Sequence, residues 1–230
     1  AVTVFAGMTL NNNGCGWPPD TSGDIGGSSG QYYVQAVNCS VAVYNSGSGT
    51  VAAGPWTLDT FMSNALGSSS ACAANNQGDP VVSYDVTAQR WIVMDFWWKS
   101  YSGPYKFCIA VSDTSNPTGS WHGFAFDTTL NGNSNWMPDY PKMAVTPNGL
   151  AITANMFSNA QSYSGVGVYL LDLTSLYCVP SGATTCALKS FSWQLGTSYF
   201  SLLPANVRFP VASGAASQVG AFLVSDYGVS

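Results

Sequence analysis

The sequence predicts an all-β fold organised as a β-propeller, with four-stranded antiparallel blades of about 60 residues. Three observations predict it. A proline–aspartate pair recurs as Pro19-Asp20, Asp79-Pro80 and Pro138-Asp139, with the carboxylates 59 and 60 residues apart. Each pair opens a series of short apolar or alternating runs separated by turn signals, the mark of a repeated β unit. All eleven acidic residues are aspartate, and Asp favours turns where Glu favours helices.

Residues 1–10 alternate weakly and end at the Asn11-Asn12-Asn13-Gly14 turn signal, which predicts one short strand that completes a last blade. The first full blade spans 18–61, with strands over 32–38 and 40–44 and a hairpin turn over 45–49. Residues 57–66 lack a sustained apolar stripe and predict no helix, and the Ser/Gly/Ala-rich 63–77 predicts a flexible connection. The second blade, 78–127, has four apolar runs at 81–85, 90–98, 107–112 and 120–126, with turns at 86–89, 103–104 and 117–119. The third, 138–196, repeats the plan over 142–146, 150–157, 166–173 and 191–195, with a turn at 147–149. A partial blade over 203–230 holds two strands, near 209–212 and 219–225. Three blades and part of a fourth leave edges to be covered. A second chain, a further C-terminal part, or closure by residues 1–10 would each do so.

Forty-six per cent apolar residues over 230 positions suffice for a substantial core. Only 7% are charged, so solubility rests on neutral polar groups, a surface that tolerates salt and low pH. A net charge of -5 and six scattered cations (Arg90, Lys99, Lys106, Lys142, Lys189, Arg208) exclude a nucleic-acid partner. No apolar run is long enough to predict a membrane span. The six cysteines point to disulfides and a secreted, extracellular setting. Cys178 and Cys186 bracket one loop and form the closest pair; among the several connectivities that six cysteines allow, we expect Cys15 with Cys39 and Cys72 with Cys108.

If the units are blades, Asp20, Asp79 and Asp139 converge, and like charges in a partly enclosed channel would separate their pKa values as acid–base work on a glycosidic bond requires. Their alternative role is to bond backbone amides and pin one unit to the next. Asp20 and Asp24, four apart around Ser22 and Gly23, could wrap a loop around Ca²⁺, or form an ordinary turn. Trp97, Trp98, Tyr101, Trp136 and Tyr140 flank the second and third units and could receive the apolar face of a sugar, with Lys142 beside them; alternation sends one of Trp97 and Trp98 outward and the other into the core. Arg90 and Lys142 could also partner the aspartates. His122 reads as a surface or packed residue, and no Gly-x-Ser-x-Gly or phosphate-cradling loop is present.

Taken in order, Pro18-Pro19-Asp20-Thr21-Ser22-Gly23-Asp24, Gly78-Asp79-Pro80 with Arg90-Trp91, Cys108-Ile109-Ala110-Val111-Ser112 with Pro117-Thr118-Gly119-Ser120-Trp121, and Asp139-Tyr140-Pro141-Lys142 resemble a large group of secreted bacterial β-propeller-like proteins. The match runs over about residues 15–227. It implies an extracellular location and no particular chemistry. A fainter similarity is to propeller glycosidases. The expected function is therefore a binding or structural module for glycans or an extracellular protein. The alternatives are a glycoside hydrolase using Asp20, Asp79 and Asp139, and a subunit of an extracellular assembly.

Overall fold

Alternation and turn chemistry produce three successive meanders of four strands each in the computed structural model, which describes residues 4–147, 149–180, 186–208 and 223–224. The chain divides into two compact units, residues 1–98 with 106–126, and 99–105 with 127–230.

The first unit holds two sheets. One runs β1 (Ser22–Gly26), β2 (Tyr32–Val37), β3 (Ser40–Asn45) and β4 (Val51–Thr57), in that spatial order and antiparallel throughout. The other runs β5 (Val81–Asp85), β6 (Arg90–Trp98), β7 (Tyr105–Ser112) and β8 (Trp121–Asp127). Between β4 and β5 stands a helix, α1 (Leu58–Leu66), and a single 3₁₀ turn at Ala71–Ala73. The helix departs from the sequence expectation. Thr57 caps it by accepting the Thr60 N–H, and Leu58, Phe61 and Met62, at helical spacing, bury one short face. Three apolar positions within a nine-residue helix suffice because they meet a ready surface: Leu58, Phe61 and Met62 join Val34, Val41, Val43, Trp91, Val93, Trp97 and Cys108 in one buried cluster. Nor is 63–77 a loose connection, since Cys72 is fully buried in that cluster.

Residues 4–9 form no strand. The Met8 N–H is taken by the Gln35 side chain at 2.8 Å instead of by a neighbouring strand. Phe5 lies against the rings of Tyr33 and Tyr44, so side-chain contacts hold this segment to the first sheet. The strand expected over 1–10 to complete a blade is thus absent among the described residues.

The second unit contains one four-stranded antiparallel sheet: β9 (Trp136–Thr146), β10 (Gly149–Ser158), β11 (Ser162–Leu171) and β12 (Ser190–Leu195). A four-residue helix, α2 (Leu173–Leu176), capped by Asp172, follows β11. A two-stranded ladder pairs β13 (Leu203–Pro204) with β14 (Leu223–Val224). Of the partial blade over 203–230, the strand expected at 209–212 and most of that at 219–225 lie outside the described residues, as does Asn148 of the 147–149 turn. The second and third sheets otherwise fall where the runs at 81–126 and 142–195 place them, and β2 and β3 where the runs at 32–44 do, while β1 and β4 lie outside the expected runs.

The disulfides are Cys15–Cys39, Cys72–Cys108 and Cys178–Cys186, the pairing expected from the sequence.

Candidate functional site

Asp20 and Asp79 lie in the stretches leading into β1 and β5, Asp139 lies within β9, and the backbone at these places is unusual. Asp20 (φ 40°), Asp79 (φ 50°), Tyr140 (φ 49°) and Ser201 (φ 50°) occupy the left-handed region, a repeat of 59, 61 and 61 residues. Aspartate enters this region more readily than most residues, whereas tyrosine and serine do so at greater cost. The conformational repeat therefore tracks Asp20 and Asp79, and in the third sheet falls on Tyr140, one residue beyond Asp139.

In the first unit the lead-in to β5 is held atom by atom. Four consecutive N–H groups each find an acceptor: Asn76 on Asp59 Oδ1 (2.9 Å), Gln77 on the Phe96 carbonyl (3.0 Å), Gly78 on Asp95 Oδ1 (3.0 Å), and Asp79 on Asn38 Oδ1 (2.7 Å). Gly78 (φ 113°) is required here, since a Cβ would meet Asn38 Oδ1 at 2.6 Å. Asn38 also donates from Nδ2 to Asp20 Oδ2 (2.5 Å) and to the Pro18 carbonyl (2.8 Å), so one carboxamide ties the Asp20 carboxylate to the Asp79 backbone.

Two side chains of β1 complete the joint: Ser22 Oγ accepts the Val82 N–H (3.0 Å) and Asp24 Oδ2 accepts the Tyr84 N–H (2.9 Å), each across 60 residues of chain. Gly26 lies so close to the Tyr84 ring that a Cβ would collide with it. These contacts give Asp20 and Asp24 partners within the protein. Residues 22–26 are a strand and not a wrapping loop, and Asp24 spends one oxygen on Ile25 N–H (2.8 Å) and the other on Tyr84. Among the described residues, no cluster of three or more His, Cys, Asp or Glu side chains could hold a metal ion.

Asp95, a lone polar residue in an apolar run, is fully enclosed. Its Oδ1 accepts the Gly78 and Phe96 N–H groups (3.0 and 2.7 Å), and its Oδ2 has no partner among the described residues. Burial pushes its carboxyl well above the usual carboxylate range; the two N–H groups oppose the rise, and the negative charges of Asp79 and Asp59 add to it. In the second unit Asn155 plays the part of Asn38: its Oδ1 accepts the N–H of left-handed Ser201 (2.8 Å) and its Nδ2 donates to Ser201 Oγ (3.0 Å). The signal available in the sequence was a polar side chain in or just after the second strand of each four-stranded sheet, at 38, 95 and 155.

Asp139 lies in the second unit on β9, opposite Asn155 in register, and both Asp79 and Asp139 carry further interactions. Trp97 is buried in the first unit's core and unavailable to a ligand; Trp98 is half-buried, its ring edge-on to Phe96. In the second unit Tyr101 is exposed and Trp136 half-buried, and Lys142 places its ammonium 2.9 Å from the centre of the half-exposed Tyr140 ring, a cation–π contact. Arg90 donates to the Ala88 and Gln89 carbonyls of its own turn. His122 is buried, with Nδ1 2.6 Å from Asp113 Oδ1, a pair that pins the β7–β8 hairpin and that spacing alone did not disclose.

Beside Asn38 and Pro19, a groove of about 320 Å³ is lined mainly by Met8, Leu10, Trp17 and Val37. Comparison with known families, characterised proteins and solved structures finds no match to this chain.

Proposed function

We propose that this chain is an extracellular module of β-propeller type that binds glycans or a protein partner and does not hydrolyse them. One observation carries the reading: the carboxylate of Asp20 and the backbone of Asp79 meet on a single carboxamide, Asn38, so these residues serve as a joint between sheets. A general acid or nucleophile must be free to meet substrate. The three disulfides and a largely uncharged composition suit an oxidising environment outside the cell. No helix among the described residues is long and apolar enough to cross a membrane.

The test separates joint from catalyst. Asp20→Asn, Asp79→Asn and Asp139→Asn are assayed for turnover on a panel of oligosaccharides and for thermal stability. The wild type should show no turnover, and Asp20→Ala, which removes the oxygen held by Asn38, should lower the melting temperature by roughly 2–8 °C. Turnover by the wild type that each Asn variant abolishes at unchanged melting temperature would establish the hydrolase instead.

A further inference from the structure

We propose that a second, separate cleft in the first unit, walled by Trp56 and Trp121, is a binding site for neutral sugar residues; this rests on the binding-module reading and gives that module its ligand class and its place.

The cleft, about 280 Å³, is lined by Trp56, Phe61, Asn64, Trp121 and the turn residues 117–120. Each wall belongs to a fixed element. Trp56 stands on β4, the edge strand of its sheet, and Phe61 and Asn64 on α1, which Thr57 caps. Trp121 opens β8, and its indole N–H is anchored on the Pro117 carbonyl at 3.0 Å. Phe61 lies behind both indoles, its centroid 6.0 Å from that of Trp56 and 4.9 Å, edge to face, from that of Trp121. Because Phe61 is buried while both tryptophans stay half-exposed, the indoles are held in orientation by core packing and still reach solvent.

Rigid aromatic surface suits the C–H face of a pyranose, which needs a flat apolar partner and loses little on ordering if that partner is already placed. Sugar hydroxyls need polar groups at the rim. Asn64 and Ser120 are exposed, and their side chains make no hydrogen bond among the described residues, so both are free to serve. None of the lining residues is charged, and with a net charge of -5 the chain has nothing here to attract an acidic glycan. A neutral sugar is the occupant that fits. At a volume below that of sites enclosing drug-sized ligands, the cleft takes about one or two residues of a chain that continues into solvent. The Trp17 groove is a poorer candidate: Asn38 on its wall is already spent, and Thr9 is bonded to Asn12.

The experiment titrates the intact protein with cellohexaose, mannohexaose, xylohexaose and chitohexaose. Binding is followed by calorimetry and by the tryptophan indole N–H signals in NMR. At least one sugar should bind and shift the Trp56 and Trp121 signals. Trp121→Ala should weaken it at least about tenfold. Since Trp121 also touches the core, the surface double variant Asn64→Ala/Ser120→Ala supplies a test that leaves packing intact, with an expected loss of about fivefold or more. Binding that survives in both variants overturns the cleft while leaving a glycan-binding module with its site elsewhere. No binding of any of the four sugars also overturns the cleft, and the module reading then stands or falls on its own turnover test. Turnover lost in Asp79→Asn overturns the module reading alone, and the cleft is still judged by its variants.

Discussion

The two units secure consecutive first strands with the same polar device but surround it with different latching side chains. In the first unit, Asn38 catches the N–H of left-handed Asp79, and beneath that joint lies a cluster running from Val34 and Val43 through Leu58 and Met62 to Trp91 and Trp97. In the second, Asn155 catches the N–H of left-handed Ser201, Thr153 Oγ1 donates to the Leu202 carbonyl (2.6 Å), and Asn206 Oδ1 accepts the Val145 N–H (2.7 Å). Val166, Val168 and Leu202 pack together there, with Trp193, Leu195 and Leu223 against them, in a sheet that also buries Val145, Leu150, Ile152 and Met156. The carboxamide joint is thus repeated while its neighbours change, Asp59 and Asp95 in one unit and Thr153 and Asn206 in the other. Orientation comes from the carboxamide, and most of the stability comes from the apolar area, at about 25 cal/mol per Å² buried.

The largest expected effect concerns the covalent links. Cys72–Cys108 closes 36 residues and lies within the first unit's core, whereas Cys178–Cys186 closes 8. On the chain-entropy argument, removing the first by paired Cys→Ser substitution costs about 4 kcal/mol and removing the second about 2.5 kcal/mol. Two buried hydroxyls in an apolar cluster add to the first figure. Urea unfolding of the two double variants measures the difference, and equal losses would break the contrast between a disulfide set in a core and one that staples a local loop.

Next come the joints themselves. Asn38→Ala orphans the Asp79 N–H and one oxygen of Asp20, and Asn155→Ala orphans the Ser201 N–H, so each should cost about 1–3 kcal/mol. The informative quantity is local. The 76–79 segment should keep most of its protection from hydrogen exchange in Asn38→Ala, through Asp59, Phe96 and Asp95. In Asn155→Ala, residues 201–202 should lose theirs, because only the Thr153 contact remains of the latch described at that point. Equal loss in both variants would mean that the carboxamide, not the acceptors beside it, sets local stability.

The sequence disclosed these joints only partly, for physical reasons. Strands β5 to β12 were legible because long apolar runs bounded by Gly, Pro and Asn turns bury their side chains. β1 was not, since its Ser22 and Asp24 contribute by accepting backbone N–H groups of β5, and such a contact leaves no hydrophobic pattern. Helix α1 escaped because nine residues with three buried positions give too short a period to register. The aspartate repeat did mark the lead-ins, but what it follows is backbone conformation, and at Tyr140 and Ser201 that conformation continues without a carboxylate. Asp95 lies inside the run 90–98, where one polar residue among apolar neighbours does not reveal whether it is enclosed.

The last effect, absent for Asp95 at the acid end of the range, is the most specific, since it gives the two units opposite signs. Asp95 has a raised pKa through burial, so its folded form holds the proton more tightly than the unfolded chain. Its contribution to stability is complete below the ordinary value of 3.8 and is lost as pH rises from there through its elevated folded value, at up to about 1.4 kcal/mol per pH unit. Asp172, which caps α2 in the second unit, behaves in reverse. The backbone N–H of Ser175 holds its carboxyl below 3.8, so its contribution is present above that value and is lost as pH falls through the lowered one. Asp95→Asn keeps an oxygen for Gly78 and Phe96 and cannot ionise. Melting curves from pH 3 to pH 8 should show it near the wild type at the acid end and progressively more stable than the wild type as pH rises. Asp172→Asn, which retains a capping oxygen, should differ from the wild type in the other sense, losing ground only above the acid range. A constant offset for Asp95→Asn across the whole range would mean that its carboxyl titrates normally and that the enclosed oxygen finds a partner in solution.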